Sequence, residues 1–383
     1  MLEKNQENSI IVGRHYDFID GLRGVAILMV LWFHSAGYAN RIIDSTGADS
    51  NTYHNFAFFG ATGVDLFFVI SGFLITGILI DSVNTQQKPL EKFYIRRFLR
   101  IFPAYYALLF VVLILYFVIA FDLPDLGLTL SHILYLQNWS PEFSRAGAFE
   151  YLDHTWSLAI EEQFYLVWPA LFVFLYKRSL YFVFIALICM VLLSWGLRLH
   201  YVSMGYSKFA YTATLCRIDA LAFGAMISLF YRYFYTWLEC LKIVFAVLAI
   251  CSFLCVAYIL ISQQTIFDAY KVLICYGLTL CSILYFSYFS FLLASNDKHF
   301  FKRLLENRVL RDIGVVSYGL YLLHVPIMRL IAKLLVPYDL TYFPAHLLVF
   351  VLGLLVSYVL AYFSFKYFEK PVLKLKDKWA SYQ

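Results

Sequence analysis

IDGLRGVAILMVLWFH, residues 19–34, opens an apolar run that continues to about residue 38. No charge interrupts it between Arg23 and His34. A helix needs about 20 apolar residues to cross the hydrocarbon core of a bilayer, so a span is predicted over 22–38. The run follows a polar segment and lacks a small-residue cleavage pattern, which predicts a retained signal anchor, not a cleaved signal peptide. Similar runs predict spans over 58–80, 104–121, 156–176, 180–197, 210–231, 237–261, 270–293, 313–335 and 345–366. The fold class expected is an all-α integral membrane protein, a bundle of about ten transmembrane helices.

Composition demands lipid. The 383 residues are 62% hydrophobic with a mean hydropathy of +0.72, against about 45–50% apolar in soluble domains. Charged residues make up 14%, against about 25% on average. The net charge of +5 does not point to nucleic acid, because the basic residues recur between apolar runs instead of forming one patch. Alternate connections hold the groups Lys88 to Arg100, Lys177 and Arg178, Arg232 and Lys242, and Lys298 to Arg311. With both ends of the chain they count 22 basic residues, against 5 (Arg41, Arg145, Arg198, Lys208, Lys271) in the other connections. The positive-inside rule then puts both termini in the cytoplasm. The expected organisation is a cytoplasmic N-terminal segment over 1–16, a transmembrane domain over 17–372 and a basic cytoplasmic tail over 373–383, with no appended soluble domain.

The longest outer connection, 122–155, carries Asp122, Asp125, Glu142, Glu150 and Asp153 against Arg145. It is expected either to cover the outer mouth of a site or to be a plain solvated loop. It also contains the glycosylation sequon Asn138-Trp139-Ser140. All seven cysteines fall in or beside apolar runs and are expected to be free, packed thiols. No Cys/His metal spacing occurs, so no metal is expected.

Ionisable groups inside a bilayer are costly and point to function. Five predicted spans carry them at similar depth: His34; Asp65 in GVDLFFVISGFLI; Glu161 and Glu162 in HTWSLAIEEQFYLVWP; Arg217 and Asp219 in CRIDALAFG; His324 in SYGLYLLHVPI. Groups that avoid lipid face inward, so a lined polar cavity is predicted. Arg217 and Asp219 point apart at i,i+2 and each needs another partner. Arg23 and His34 are eleven residues apart, about 1100° or three turns plus about 20°, so they share a helix face about 16 Å apart along the axis. The run FYIRRFLRIFPAYY, 93–106, adds Arg96, Arg97 and Arg100, planar donors suited to phosphate or merely to topology.

At these residues the chain resembles the acyltransferase-3 family of membrane acyltransferases. The elements IDGLRGVAILMVLWFH, GVDLFFVISGFLIT, FYIRRFLRIFPAYY, HTWSLAIEEQFY, RIDAL, SYGLYLLH and FEKP follow one another in order over nearly the whole chain. The resemblance implies a ten-helix bundle of the stand-alone type, without a fused esterase-like domain. It implies cytoplasmic acyl-CoA, usually acetyl-CoA, as co-substrate, an outer glycan or lipid-linked sugar as acceptor, and a need for Arg23 and His34. In a bacterium this places the protein in the inner membrane.

Acyl transfer needs a base, donors for the oxyanion and alignment. His34 is the expected base, with Asp65 or Glu161, favoured over the adjacent Glu162, to hold its tautomer. Arg23, Arg96, Arg97 and Arg100 are expected to bind the cofactor phosphates and pantetheine track. His154, Trp156, Arg217 and His324 are candidates for the acceptor side. Ser71 and Ser157 leave an acyl-enzyme route open beside direct transfer. The rival is a transporter or flippase of a small metabolite or lipid-linked sugar, whose expected internal symmetry of broken helices is not seen in the sequence.

Overall fold

The computed structural model describes residues 16–42, 57–85, 88–120, 125–139, 147–262, 270–338 and 340–379. Residues 1–15, Arg41's side chain, Asp122, Glu142 and Arg145 lie outside them. The described residues form helices and turns and no strand. Among the described residues nine helical stretches are long and apolar enough to cross a membrane, and the protein is an all-α integral membrane protein. The main helices are α1 (Asp17–Ile42), α2 (Gly63–Thr85), α3 (Pro89–Ala120), α4 (Leu126–Ile133), α5 (Trp156–Tyr176), α6 (Leu180–Ser203), α7 (Ser207–Thr212) and α8 (Ile218–Tyr233). They continue with α9 (Lys242–Ser262), α10 (Leu278–Ala294), α11 (Arg308–Val315), α12 (Ser317–Leu335), α13 (Tyr342–Ser364) and α14 (Lys370–Trp379).

One predicted span departs from the pattern. The run 210–231 is not a continuous helix: α7 ends at Thr212, a short turn covers Thr214–Cys216, and α8 begins only after Arg217. Arg217 has φ −129° and ψ −4°, outside helical values. Its 16 residues make α8 about 24 Å long, short of the roughly 30 Å hydrocarbon core.

Close backbone contact holds α2 against α8. A Cβ on Gly72 would lie 2.0 Å from the Leu221 carbonyl oxygen, and one on Gly224 would lie 2.0 Å from that of Val69. Without a hydrophobic driving force between helices in lipid, small residues that permit such approach do the packing. Helix α1 runs through the middle and is surrounded by α2, α11, α12 and α13. On its α13 side, the Trp32 carbonyl accepts from His346 Nε2 at 3.2 Å.

The described part of 122–155 is packed, not a free solvated loop. Asn138 is fully buried. Its Nδ2 donates to Thr214 Oγ1 at 2.8 Å and to the Thr212 carbonyl at 3.2 Å, and its Oδ1 accepts from Gln163 Nε2 at 2.9 Å. The sequon asparagine therefore has no free amide to offer a glycan. At the other end of the segment, Glu150 pairs with Arg329 of α12, whose guanidinium lies 4.7 Å from the Tyr151 ring centre. The cysteines are unpaired, but only Cys216 and Cys281 are packed inside; Cys189, Cys240, Cys251 and Cys255 are exposed on helix surfaces.

Replacing Gly224 by valine should force α2 and α8 apart and destabilise the bundle by about 1–3 kcal/mol or more. The check is a lower melting temperature in detergent, with Gly196→Val, where an added Cβ meets nothing within 4 Å, expected to melt close to the parent.

Candidate active site

Up to Ile78 the half-buried positions of α2 are Phe67, Ser71, Leu74 and Ile78, one face at helical spacing. Phe67, Ser71 and Leu74 line a cavity of about 100 Å³ walled also by Arg23 of α1, Arg97 and Arg100 of α3, Glu161 and Glu162 of α5, and Tyr318 and Tyr321 of α12. Arg97 and Arg100, at i,i+3, share a helix face and both reach it, whereas Arg96 is not among its walls. Arg100 is exposed at the rim. Arg23 is held by Asp20 at 3.3 Å. The guanidinium of Arg97 lies 5.0 Å from the Tyr165 ring centre. The Tyr165 hydroxyl makes a close hydrogen bond with Ser71, and Glu161 sits beside both. Three guanidinium groups and two glutamate side chains face the cavity.

The cavity ends at Ser157 and Tyr321. Their hydroxyls are 2.6 Å apart, and the Tyr321 hydroxyl also donates to the His154 carbonyl at 2.8 Å. Behind that phenol stands a row of imidazoles. The ring centres of His34 and His324 are 5.0 Å apart, those of His324 and His154 4.9 Å, and those of Tyr321 and His324 5.4 Å. His34 is half-buried, while His154 and His324 are buried. His154, on a loop-edge position in the sequence, is thus an interior residue. His34 is not a wall of the cavity, and the ring contacts run from Tyr321 through His324 to His34. Among the described residues no group of three or more His, Cys, Asp or Glu is arranged to hold a metal ion.

Asp65 and Glu161, expected beside His34, are engaged elsewhere. Asp65 accepts from Arg217 Nη2 at 2.8 Å with both side chains buried, and Glu161 belongs to the arginine cavity. Arg217 is further enclosed by the rings of Tyr211, Trp156 and Phe68, at 4.8, 5.4 and 5.7 Å from its guanidinium carbon. Trp156 and Arg217 are therefore packed on each other and on Tyr211. Asp219 turns to Arg198 Nη2 at 2.7 Å. Arg198 also bonds the Cys216 carbonyl and Thr279 and is fully buried. Counted by position as a charge of an outer connection, Arg198 is an interior residue, because α6 runs on to Ser203. Sequence reasoning missed Arg198, Tyr165, Tyr321 and Gln163. Tyr165 and Tyr321 have a usable signal: each sits one helical turn from an expected site residue, Glu161 and His324.

The model of a family described as an acyltransferase domain matches residues 16–362. The chain belongs to the acyltransferase-3 family. Among curated relatives of this member, it is 29% identical over 385 residues to a peptidoglycan O-acetyltransferase, OatA, of Listeria monocytogenes, covering 93% of this chain and 55% of that one. It is 28% identical over 376 residues to the O-acetyltransferase OatA of Staphylococcus aureus, covering 94% and 58%. It is also 28% identical over 401 residues to a putative peptidoglycan O-acetyltransferase, YrhL, of Bacillus subtilis, covering 97% and 56%. The chain spans little more than half the length of these relatives. No solved structure matches it.

In this acyltransferase-3 member two buried ion pairs stand behind the site. Arg198→Met leaves Asp219 buried without its partner and should cost about 3–5 kcal/mol, while Arg198→Met with Asp219→Leu should recover much of that loss; melting temperatures of the three proteins check this. A second expectation concerns His132 of α4, outside the spans. It is buried against Phe149, with ring centres 4.6 Å apart, and its Nδ1 donates to the Leu128 carbonyl at 2.8 Å. Burial pushes its pKa down to about 4, whereas the unfolded chain has about 6.5. The fold holds it neutral, so stability is lost as pH falls from about 6.5 towards 4, where the unfolded chain binds the extra proton. His132→Phe should melt with less sensitivity to pH between 7.5 and 5 than the parent.

Proposed function

We propose that this protein is a membrane O-acyltransferase that moves an acyl group, acetyl in the simplest case, from cytoplasmic acyl-CoA to a hydroxyl of a cell-envelope glycan in a bacterial plasma membrane. One observation carries the reading: an arginine-lined cavity and a buried histidine row meet at Tyr321. The basic rim at Arg100, with Arg97 and Arg23 deeper, suits the phosphates of CoA. His34 suits the base. The acceptor oxygen attacks the thioester carbon, the C–S bond breaks, His34 takes the hydroxyl proton, and that proton passes to the departing thiolate. Tyr321 must move for the thioester to reach His34. The names of the relatives favour peptidoglycan as the glycan. The transporter reading gains nothing from the broken helix at Thr212–Ile218, because its charges are spent on Asp65 and Arg198.

The test is purified protein in vesicles supplied with radiolabelled acetyl-CoA and soluble peptidoglycan fragments. Label should reach the glycan, His34→Gln should reduce the rate by about 10²-fold or more, and Arg23→Met should chiefly raise KM for acetyl-CoA. Activity should fall as pH drops through the ordinary histidine value of about 6.5. A flat profile across pH 5–8 would count against an imidazole base, and uptake of substrate without consumption of acetyl-CoA would favour the transporter.

A further inference from the structure

The terminal FEKP motif, Phe368–Pro371, has no part in the site above. A π-helical turn over Phe365–Glu369 joins α13 to α14, and such turns are frequent at functional sites. Within it Glu369 is buried, whereas its neighbours Phe368 and Lys370 are exposed. Its carboxylate fits against α12 where Gly319 has no side chain: a Cβ there would lie 3.3 Å from Glu369 Oε1. Ser364 Oγ donates to the same oxygen at 3.1 Å. Among the described residues no cation stands at ion-pair distance from this carboxylate, although the charge of Arg100 acts on it. A buried carboxylate with one hydroxyl donor is under-satisfied, and in a membrane that is costly.

Glu369 is a wall of a second cavity, of about 210 Å³, which shares no lining residue with the arginine cavity. Its α3 wall is Ala104, Ala107, Leu108 and Val111. These stand at i, i+3, i+4 and i+7, one helix face, about 10 Å long. Arg100 lies one turn before Ala104, so the carboxylate is at the Ala104 end. The small alanines leave the space, and Leu322 and Leu323 of α12 face it. Val111 and Phe368 are exposed at its edge, so the groove opens sideways to lipid. Every wall except Ser364 and Glu369 is apolar or glycine. One leaflet of a roughly 30 Å core is about 15 Å deep, so the groove takes most of one hydrocarbon chain from one leaflet.

We propose that this groove binds one phospholipid of the cytoplasmic leaflet with a primary-ammonium headgroup, its chain along α3 and its ammonium hydrogen-bonded to Glu369. The apolar walls recognise the chain. The carboxylate recognises a group that both donates hydrogen bonds and carries positive charge. A phosphoglycerol headgroup brings no cation, and a choline headgroup brings one without an N–H. The lipid phosphate is left near Lys370, exposed next in the chain. Nothing in this site depends on the proposed acyl transfer.

The test is native mass spectrometry of the delipidated full chain in detergent, titrated separately with phosphatidylethanolamine, phosphatidylcholine and phosphatidylglycerol of identical chains. The first phosphatidylethanolamine should bind about tenfold more tightly than either of the others, the worth of one charge-assisted hydrogen bond. Glu369→Gln should bring it down to the phosphatidylcholine level. Ala107→Trp, which fills the groove, should remove this first binding step. Leu355→Trp, on the exposed face of α13, should leave it unchanged. If Ala107→Trp melts well below the parent, Val111→Phe at the exposed edge is the milder filling variant and carries the test. Equal affinity for the three lipids overturns the proposal, because an unspecific lipid annulus then covers the groove. A preference that survives Glu369→Gln, or a first binding step that survives filling, overturns it too.

Discussion

A charge carried into a bilayer must meet its counter-charge inside the protein, and two such meetings organise this bundle. Arg217 pairs with Asp65 and Arg198 pairs with Asp219, all four side chains buried. They join α2, α6 and α8 around the break between Thr212 and Ile218. Removing any one of the four leaves an uncompensated charge in a medium that cannot solvate it. The backbone is non-helical at Arg217, and the two charges of RIDAL each have their own partner on another helix.

Around that fastening, the polar interior has two regions. The arginine cavity is reached at the end of the bundle where Arg100 is exposed. The imidazole row lies beyond Tyr321 and next to the packed segment between α3 and α5. Tyr321 belongs to both regions, with its hydroxyl on Ser157 and the His154 carbonyl and its ring on His154 and His324. A phenol held by two hydrogen bonds closes one compartment from the other without placing a charge in either. Gln163 ties down the packed segment between α3 and α5, accepting from Trp139 and Thr214 and donating to Asn138 and Tyr135. Buried polar groups of this kind are specified by being satisfied, and Asn138 loses its accessibility as a consequence.

The helices were legible because lipid imposes one length and one polarity on every span. Nine of the ten predicted runs coincide with long apolar helices, and the tenth differs where Arg217 and Asp219 stand. The inward placement of Asp65, Glu161, Arg217 and His324 was legible for the same reason. Arg97 could not be told from Arg96 by helical phase, because i,i+3 and i,i+4 both share a face with Arg100. The partners of the buried charges were not legible. Nothing local in the chain says that Asp65 meets Arg217 across 152 residues, or that Arg198 lies inside and not in a connection.

Sequence by itself determined the class of molecule, the membrane spans and the family, because hydrophobic run length and motif order are properties of the chain read in one dimension. Tertiary structure decided which ionisable groups neutralise each other and which remain available for chemistry. It drew Asp65 away to Arg217, gave Glu161 to the arginine cavity and set His324 beside His34. The physical reason is that a buried charge or lone pair is governed by what lies within a few ångströms of it, and that neighbourhood exists only once the helices have packed.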